Sequence, residues 1–293
     1  MKRLIVVTLV AVFLASCGRP ERPAIVVGSK NFTESVILGQ LVAEKLAAAG
    51  CRVERRLNLG GTFVADTAIR SGEIDAYVEY SGTALTAILH QPIPADRDRV
   101  DAIVGEAYRT AGLHWGPGLG FNNTFAMIVR KDDADSLGLH TIADLAKVSD
   151  RFQPGFGYEF VERPDGWRGL LKAYDLQFTK TPLTMDLGLT YRALSAGKVD
   201  LIAGNSTDGL IVPMHLYVLE DTLHFFPPYH AAIVSREAIE KKCPGARAAL
   251  DALGGKIDDE AMRTMNYEVD GERRTPRIVA REFLAGIHQG SDI

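Results

Sequence analysis

The sequence predicts an α/β fold of two similar lobes with a ligand cleft between them. Three observations predict it. Residues 24–89 alternate strand-like and helix-like segments, an order that gives a parallel sheet with right-handed crossovers. Three strands in that stretch end in small polar loops that open helices: Gly28-Ser29-Lys30-Asn31-Phe32-Thr33, Gly60-Gly61-Thr62 and Tyr80-Ser81-Gly82-Thr83. The helix–Gly–strand junction at 68–75 (AIRSGEID) is also repeated at 193–200 (ALSAGKVD), as two lobes of one plan would require.

The first strand is the apolar, β-branched run Ala24-Ile25-Val26-Val27. Asn31 is expected to cap the helix that follows, with Glu34 three residues on in an arrangement close to a capping box. Ile37, Leu38, Leu41, Val42 and Leu46 then recur at helical spacing. Lys30 and the N–H groups at this handover favour an anionic partner. Val53, Arg55, Leu57 and Leu59 alternate as a strand, and a helical stretch runs to Arg70. A turn at 71–73 leads to a strand over 74–80 and a helical stretch through Leu89. In a parallel sheet the three polar loops share the carboxyl edge, where open α/β folds bind ligands.

Beyond this come a strand at 124–129 and helices at 141–148, 166–174 and 186–195. The repeated junction leads to a strand ending in Asn205-Ser206-Thr207-Asp208-Gly209, and the tail returns to helices at 237–242, 246–253, 258–265 and 276–287. The chain is expected to cross between lobes near 121–122 and back near 226–228. Lobe 1 is then 24–121 plus 227–293 and lobe 2 is 122–226, joined by a two-crossing hinge that can close on a ligand.

The N-terminus speaks to compartment. Lys2 and Arg3 precede an apolar run from Leu4 to Leu14, too short to span a bilayer comfortably. Leu14-Ala15-Ser16-Cys17 looks like a lipoprotein signal box, with 1–16 the signal peptide, Cys17 the lipidated residue and 17–23 a tether. An ordinary secretory signal with an accidental cysteine is the alternative. Either way the chain is expected to be exported, to the periplasm or the cell surface. The net charge of −4 becomes −6 when Lys2 and Arg3 are removed, and no basic block recruits nucleic acid. Cys51 and Cys243 are free to pair in an oxidising compartment or to remain buried thiols. Neither the cysteine spacing nor the scattered histidines make a metal site.

The motifs together carry a name. Residues 28–34, Gly60-Gly61-Thr62 and Asp75 through Thr83 (DAYVEYSGT) resemble the osmoprotectant (glycine betaine/choline) substrate-binding proteins of ABC importers. So do 119–124 (LGFNNT), Glu159-Phe160, Arg163-Pro164-Asp165-Gly166, Thr207-Asp208-Gly209, Phe225-Phe226-Pro227-Pro228-Tyr229 and 265–270 (MNYEVD). The resemblance spans roughly 24–286. It implies a type II periplasmic-binding-protein fold, a monomer without cofactor, a quaternary ammonium ligand and delivery to ABC permease subunits from a lipid anchor. A methylated ammonium donates no strong hydrogen bond and is held by aromatic faces. A carboxylate tail needs charge-assisted donors. Position by position, the resemblance puts Lys30, Thr83 and Arg163 on the carboxylate and Tyr80 and Tyr229 in the aromatic box. Phe125 stands where the family commonly has a tyrosine, Asn205 where it often has another, and Asn123 lends an oxygen to the methyl groups. Trp167 or Tyr158 are candidates to replace the missing wall.

Two rival readings remain at this level. One is a same-fold receptor for an amino acid or other small zwitterion. The other is an exported hydrolase, since 204–208 (GNSTD) falls one residue short of G-x-S-x-G; its final position is Asp, and the strained elbow needs a small residue there. No phosphate loop or dinucleotide fingerprint is present.

Overall fold

The structure is a computed structural model that describes residues 23–94 and 96–289. The signal segment 1–16, Cys17 and most of the tether lie outside the described residues. The chain opens with β1 (Ile25–Gly28), α1 (Thr33–Ala48), β2 (Val53–Arg56), α2 (Thr62–Ser71) and β3 (Ala76–Tyr80). A one-turn α3 (Ser81–Thr83) runs into a π-helical turn at Ala84–Ile88, followed by α4 (Val100–Thr110) and β4 (Leu113–Asn122). The middle holds β5 (Phe125–Arg130), α5 (Lys131–Leu137), β6 (Pro154–Gly157), α6 (Tyr158–Glu162), α7 (Trp167–Ala173), β7 (Leu183–Met185), α8 (Leu187–Ser195), β8 (Leu201–Asn205) and β9 (Leu216–Leu219). The tail is β10 (His230–Arg236), α9 (Ile239–Lys242), α10 (Ala246–Asp251), α11 (Asp259–Asp270) and α12 (Pro276–Gln289).

Two five-stranded sheets form, in the orders β2-β1-β3-β10-β4 and β7-β6-β8-β5-β9. Their plans are the same. In each, three parallel strands are followed by one antiparallel strand, β10 or β5. The sheets are therefore mixed rather than wholly parallel, because the strand after each crossing re-enters the opposite way. The repeated junction explains itself here. Asp75 takes Val26 N at 2.8 Å and Lys242 Nζ at 2.6 Å; Asp200 takes Gln153 N at 2.9 Å and Arg130 Nη2 at 2.6 Å. In both lobes the aspartate before a central strand satisfies a backbone donor of the neighbouring segment and is paired with a cation; for Asp75, which is fully buried, that pairing is obligatory, while Asp200 is partly exposed.

Helix α1 lies against the first sheet because Ile37, Leu38, Leu41, Val42 and Leu46 are all on its inner stripe and essentially solvent-free. Each such side chain contributes about 1.5–3 kcal/mol on burial. Helix α2 buries Ala65, Ala68 and Ile69 and ends at Gly72, whose φ of +83° a side-chain-bearing residue would strain to adopt. The start of α1 differs from expectation. Phe32, not Asn31, holds the cap position, without a side-chain cap bond. Glu34 turns into the interior instead of back to the helix end, because four tertiary donors converge on it. Cys51 and Cys243 are joined at 2.08 Å, tying the end of α1 to the end of α9 across 192 residues of sequence.

Candidate functional site

One cavity of about 270 Å³ is lined by Lys30, Tyr80, Thr83, Asn123, Phe125, Arg163, Asn205 and Tyr229, the eight positions that the sequence singles out. Lys30, Tyr80, Thr83 and Tyr229 flank strands of the first sheet; Phe125, Arg163 and Asn205 come with the second.

The cations are already paired. Lys30, in the loop after β1, forms a buried ion pair with Glu79 and donates to Thr62 Oγ1 at 3.2 Å. Glu79 sits inside β3, whose five residues are all buried. Its oxygens also take the Tyr80 N–H (2.7 Å) and the Tyr77 hydroxyl (3.2 Å), and burial pushes its carboxyl up against the pull of Lys30. Arg163 grips Asp165 with both prongs, Nε to Oδ1 at 2.9 Å and Nη2 to Oδ2 at 2.5 Å, and Nη2 also donates to Thr83 Oγ1 at 3.2 Å. Tyr229 donates its hydroxyl to the same Asp165 oxygen at 2.5 Å. Burial pushes the Asp165 carboxyl up, but Arg163 outweighs it and holds the group below the usual carboxylate range. An ammonium has three donors and a guanidinium five. These bonds use two of the three donors of Lys30 and three of the five of Arg163.

The rings form a connected wall. Phe125 packs edge-on against Tyr229 (5.4 Å between centroids) and Phe160 (4.9 Å), and Tyr80 leans on Phe32 at 6.0 Å. The Arg163 guanidinium lies 5.1 Å from the Phe125 centroid, and Lys30 Nζ lies 5.1 Å from that of Tyr80. Asn123 donates Nδ2 to Glu34 at 2.5 Å while its Oδ1 is buried with no protein partner. Asn205, opposite Phe125 in the β5–β8 register, supplies a polar wall.

The lobes touch at the cleft through Glu159. Its Oε1 accepts the Thr62 N–H at 2.5 Å, at the first residue of α2, where a helix start favours an anion. A Cβ on Gly61 would lie 1.9 Å from that oxygen, so glycine is what admits the carboxylate.

Among the described residues no cluster of acids, histidines and cysteines could hold a metal ion. Ser206 donates its hydroxyl to the Asn122 carbonyl at 2.9 Å and is thus committed to the hinge backbone.

Residues 23–286 match the family described as the substrate binding domain of ABC-type glycine betaine transport system. The chain belongs to this family. It is 36% identical to the carnitine transport binding protein OpuCC of Listeria monocytogenes, over 94% of this chain and 92% of that one. It is 35% identical to the ergothioneine transport permease/ergothioneine binding protein EgtU of Helicobacter pylori, over 94% of this chain and 49% of that one. A crystal structure of a glycine betaine/carnitine/choline ABC transporter superposes with a TM-score of 0.73 at 30% identity, covering 90% of this chain and 98% of that one. The two-lobed periplasmic-binding-protein architecture predicted from the sequence is thereby the observed one.

Sequence reasoning overlooked several residues that line the cavity or pair with its cations. Phe32 stood inside a quoted motif without being read as a wall. Glu79 had a signal, a carboxylate in the middle of an apolar strand, which demands a buried cation. Glu159 had none that spacing could provide, whereas Asp165 stands two residues from Arg163, near enough in sequence to pair with it. Of the two substitutes considered for the missing ring, Tyr158 lines the cavity, while Trp167 packs against Phe156 and Phe178 in the core.

Proposed function

We propose that this protein binds a betaine-like quaternary ammonium compound between its lobes and hands it unchanged to an ABC permease. The supporting observation is the composition of the interlobe cavity: rings of Tyr80, Phe125, Tyr229 and Phe32 on its walls, with the remaining donors of Lys30 and Arg163 beside them. Rings hold a cationic head that cannot hydrogen-bond, and the leftover N–H groups take a carboxylate. Asp165 is central to closure in this reading, since it joins Arg163 of one lobe to Tyr229 of the other. A ligand that bridges the same elements shifts the population toward the closed form.

The protein acts outside the cytoplasm, tethered through a lipid on Cys17, as a monomer and without catalysis. No helix among the described residues is long and apolar enough to cross a membrane.

Isothermal calorimetry against glycine betaine, proline betaine, choline, carnitine and ectoine, with unmethylated glycine and proline alongside, tests the proposal. Ergothioneine joins the panel because a relative is named for it. Heat from at least one trimethylammonium compound is expected. Heat from an unmethylated amino acid, and none from the methylated cations, would favour the rival receptor and defeat this one.

A further inference from the structure

Glu34 is a carboxylate buried to 3% exposure with no cation against it among its bonded partners. Its Oε1 accepts from the Tyr80 hydroxyl at 2.7 Å and from Asn123 Nδ2 at 2.5 Å; its Oε2 accepts from Thr207 Oγ1 at 2.6 Å and from Asn266 Nδ2 at 3.0 Å. Tyr80 and Asn123 line the ligand cavity, whereas Glu34, Thr207 and Asn266 do not. A side chain with only acceptors forces each of its neighbours to present a donor. For Asn123 that choice has a consequence: with Nδ2 turned to Glu34, Oδ1 is left buried and unpartnered. An orphaned buried carbonyl is costly unless something answers it. The methyl groups of a quaternary ammonium carry much of its positive charge and answer it with polarised C–H groups.

We propose that Glu34 is a positioning residue for the ligand's cationic head: by taking the Asn123 amide N–H it turns the Asn123 carbonyl oxygen to the cavity, and by holding the Tyr80 hydroxyl it fixes the ring beside it. The inference rests on the betaine reading above. Thr207 comes from the turn after β8, and Asn266 from α11, which packs on α1. Glu34 is thus anchored from both lobes, and the polarity of the cage floor is set where the lobes meet. A glutamine at this position offers a donor, so the Asn123 amide can turn over and present its N–H groups to the ligand.

The test compares glycine betaine with 3,3-dimethylbutanoate, the isostere in which carbon replaces the quaternary nitrogen. Calorimetric affinities for both are measured in the wild type and in Glu34→Gln, with melting curves alongside. The wild type prefers the betaine, and Glu34→Gln is expected to cut that preference about tenfold. Loss of affinity for both compounds by one factor would be a merely structural effect and would overturn the inference, as would an unchanged preference. Should Glu34→Gln fail to fold, Thr207→Val loosens the same carboxylate from outside the cavity and is expected to reduce the preference about threefold; no change there also overturns it. Should choline or carnitine be the compound that binds, it and its carbon isostere take the place of this pair; a wild type that binds cation and isostere equally, or no methylated cation of the panel, sinks the betaine reading and this inference with it. A discriminating wild type with an equally discriminating variant sinks this inference alone.

Discussion

Tyr80 does two things at once, and two substitutions separate them. Its ring forms a wall of the cavity, and its hydroxyl is held by Glu34. Tyr80→Ala removes a desolvated cation–π wall worth about 1–2 kcal/mol, so glycine betaine affinity measured by calorimetry should fall tenfold or more. Tyr80→Phe keeps the ring and should lose less. Asp208 makes a separate prediction. Burial raises its carboxyl to about 6, against hydrogen bonds from Tyr191 and the Asn205 backbone. A carboxyl raised on folding binds more protons in the native state than in the unfolded chain. Its contribution to stability is therefore lost as pH climbs from about 4 to about 6. Asp208→Asn keeps an acceptor for both donors and no charge to bury. Its unfolding free energy should be flatter than the wild type's over that window, by about 2–3 kcal/mol, in urea titrations at pH 4 and pH 7. At this scale the sequence made the positions legible but not their partners. Lys30 and Arg163 were readable as cations near a ligand. That Glu79 neutralises Lys30 depends on which residues the fold brings together across 49 positions, and no spacing along the chain encodes that; Asp165, two residues from Arg163, was within reach of a sequence reading.

Elements were more readable than side-chain partners. The strand–helix alternation over 24–89 and the repeated junction follow from periodicity and glycine turns, and both appear at the expected places. The cap of α1 did not, because the capping rule is local and Glu34 had stronger tertiary donors available. Two elements offer direct tests. Gly61→Ala places a Cβ where the Glu159 carboxylate sits at the start of α2. It should push Glu159 out and free the Thr62 N–H, a change visible in amide chemical shifts of residues 61–63. The Cys51–Cys243 bridge closes a loop of 192 residues. Its chain-entropy contribution is about 2–5 kcal/mol, so the double Cys→Ser variant should melt roughly 5–15 °C lower by calorimetry. An unchanged melting temperature would mean that packing of α9 and α10 on the core suffices without the bridge.

For the whole molecule, two sheets of one strand order supply the walls of one cavity, and the chain passes between them at 122–125 and again at 219–230. The sequence carried this architecture well, since the repeat and the polar loops point to two lobes and a shared edge. The closing contacts were not legible: Glu159 on Thr62, Asp165 on Tyr229 and Thr207 on Glu34 all join residues far apart in sequence. They arise only when the lobes meet, and they make the cleft a site built by closure. A crystal structure with glycine betaine bound tests that account most directly. The account predicts the quaternary nitrogen within about 6 Å of the ring centroids of Tyr80, Phe125 and Tyr229, and the carboxylate on the remaining N–H groups of Lys30 and Arg163. A ligand bound elsewhere, or one whose ammonium turns to the carboxylates and away from the rings, would contradict it.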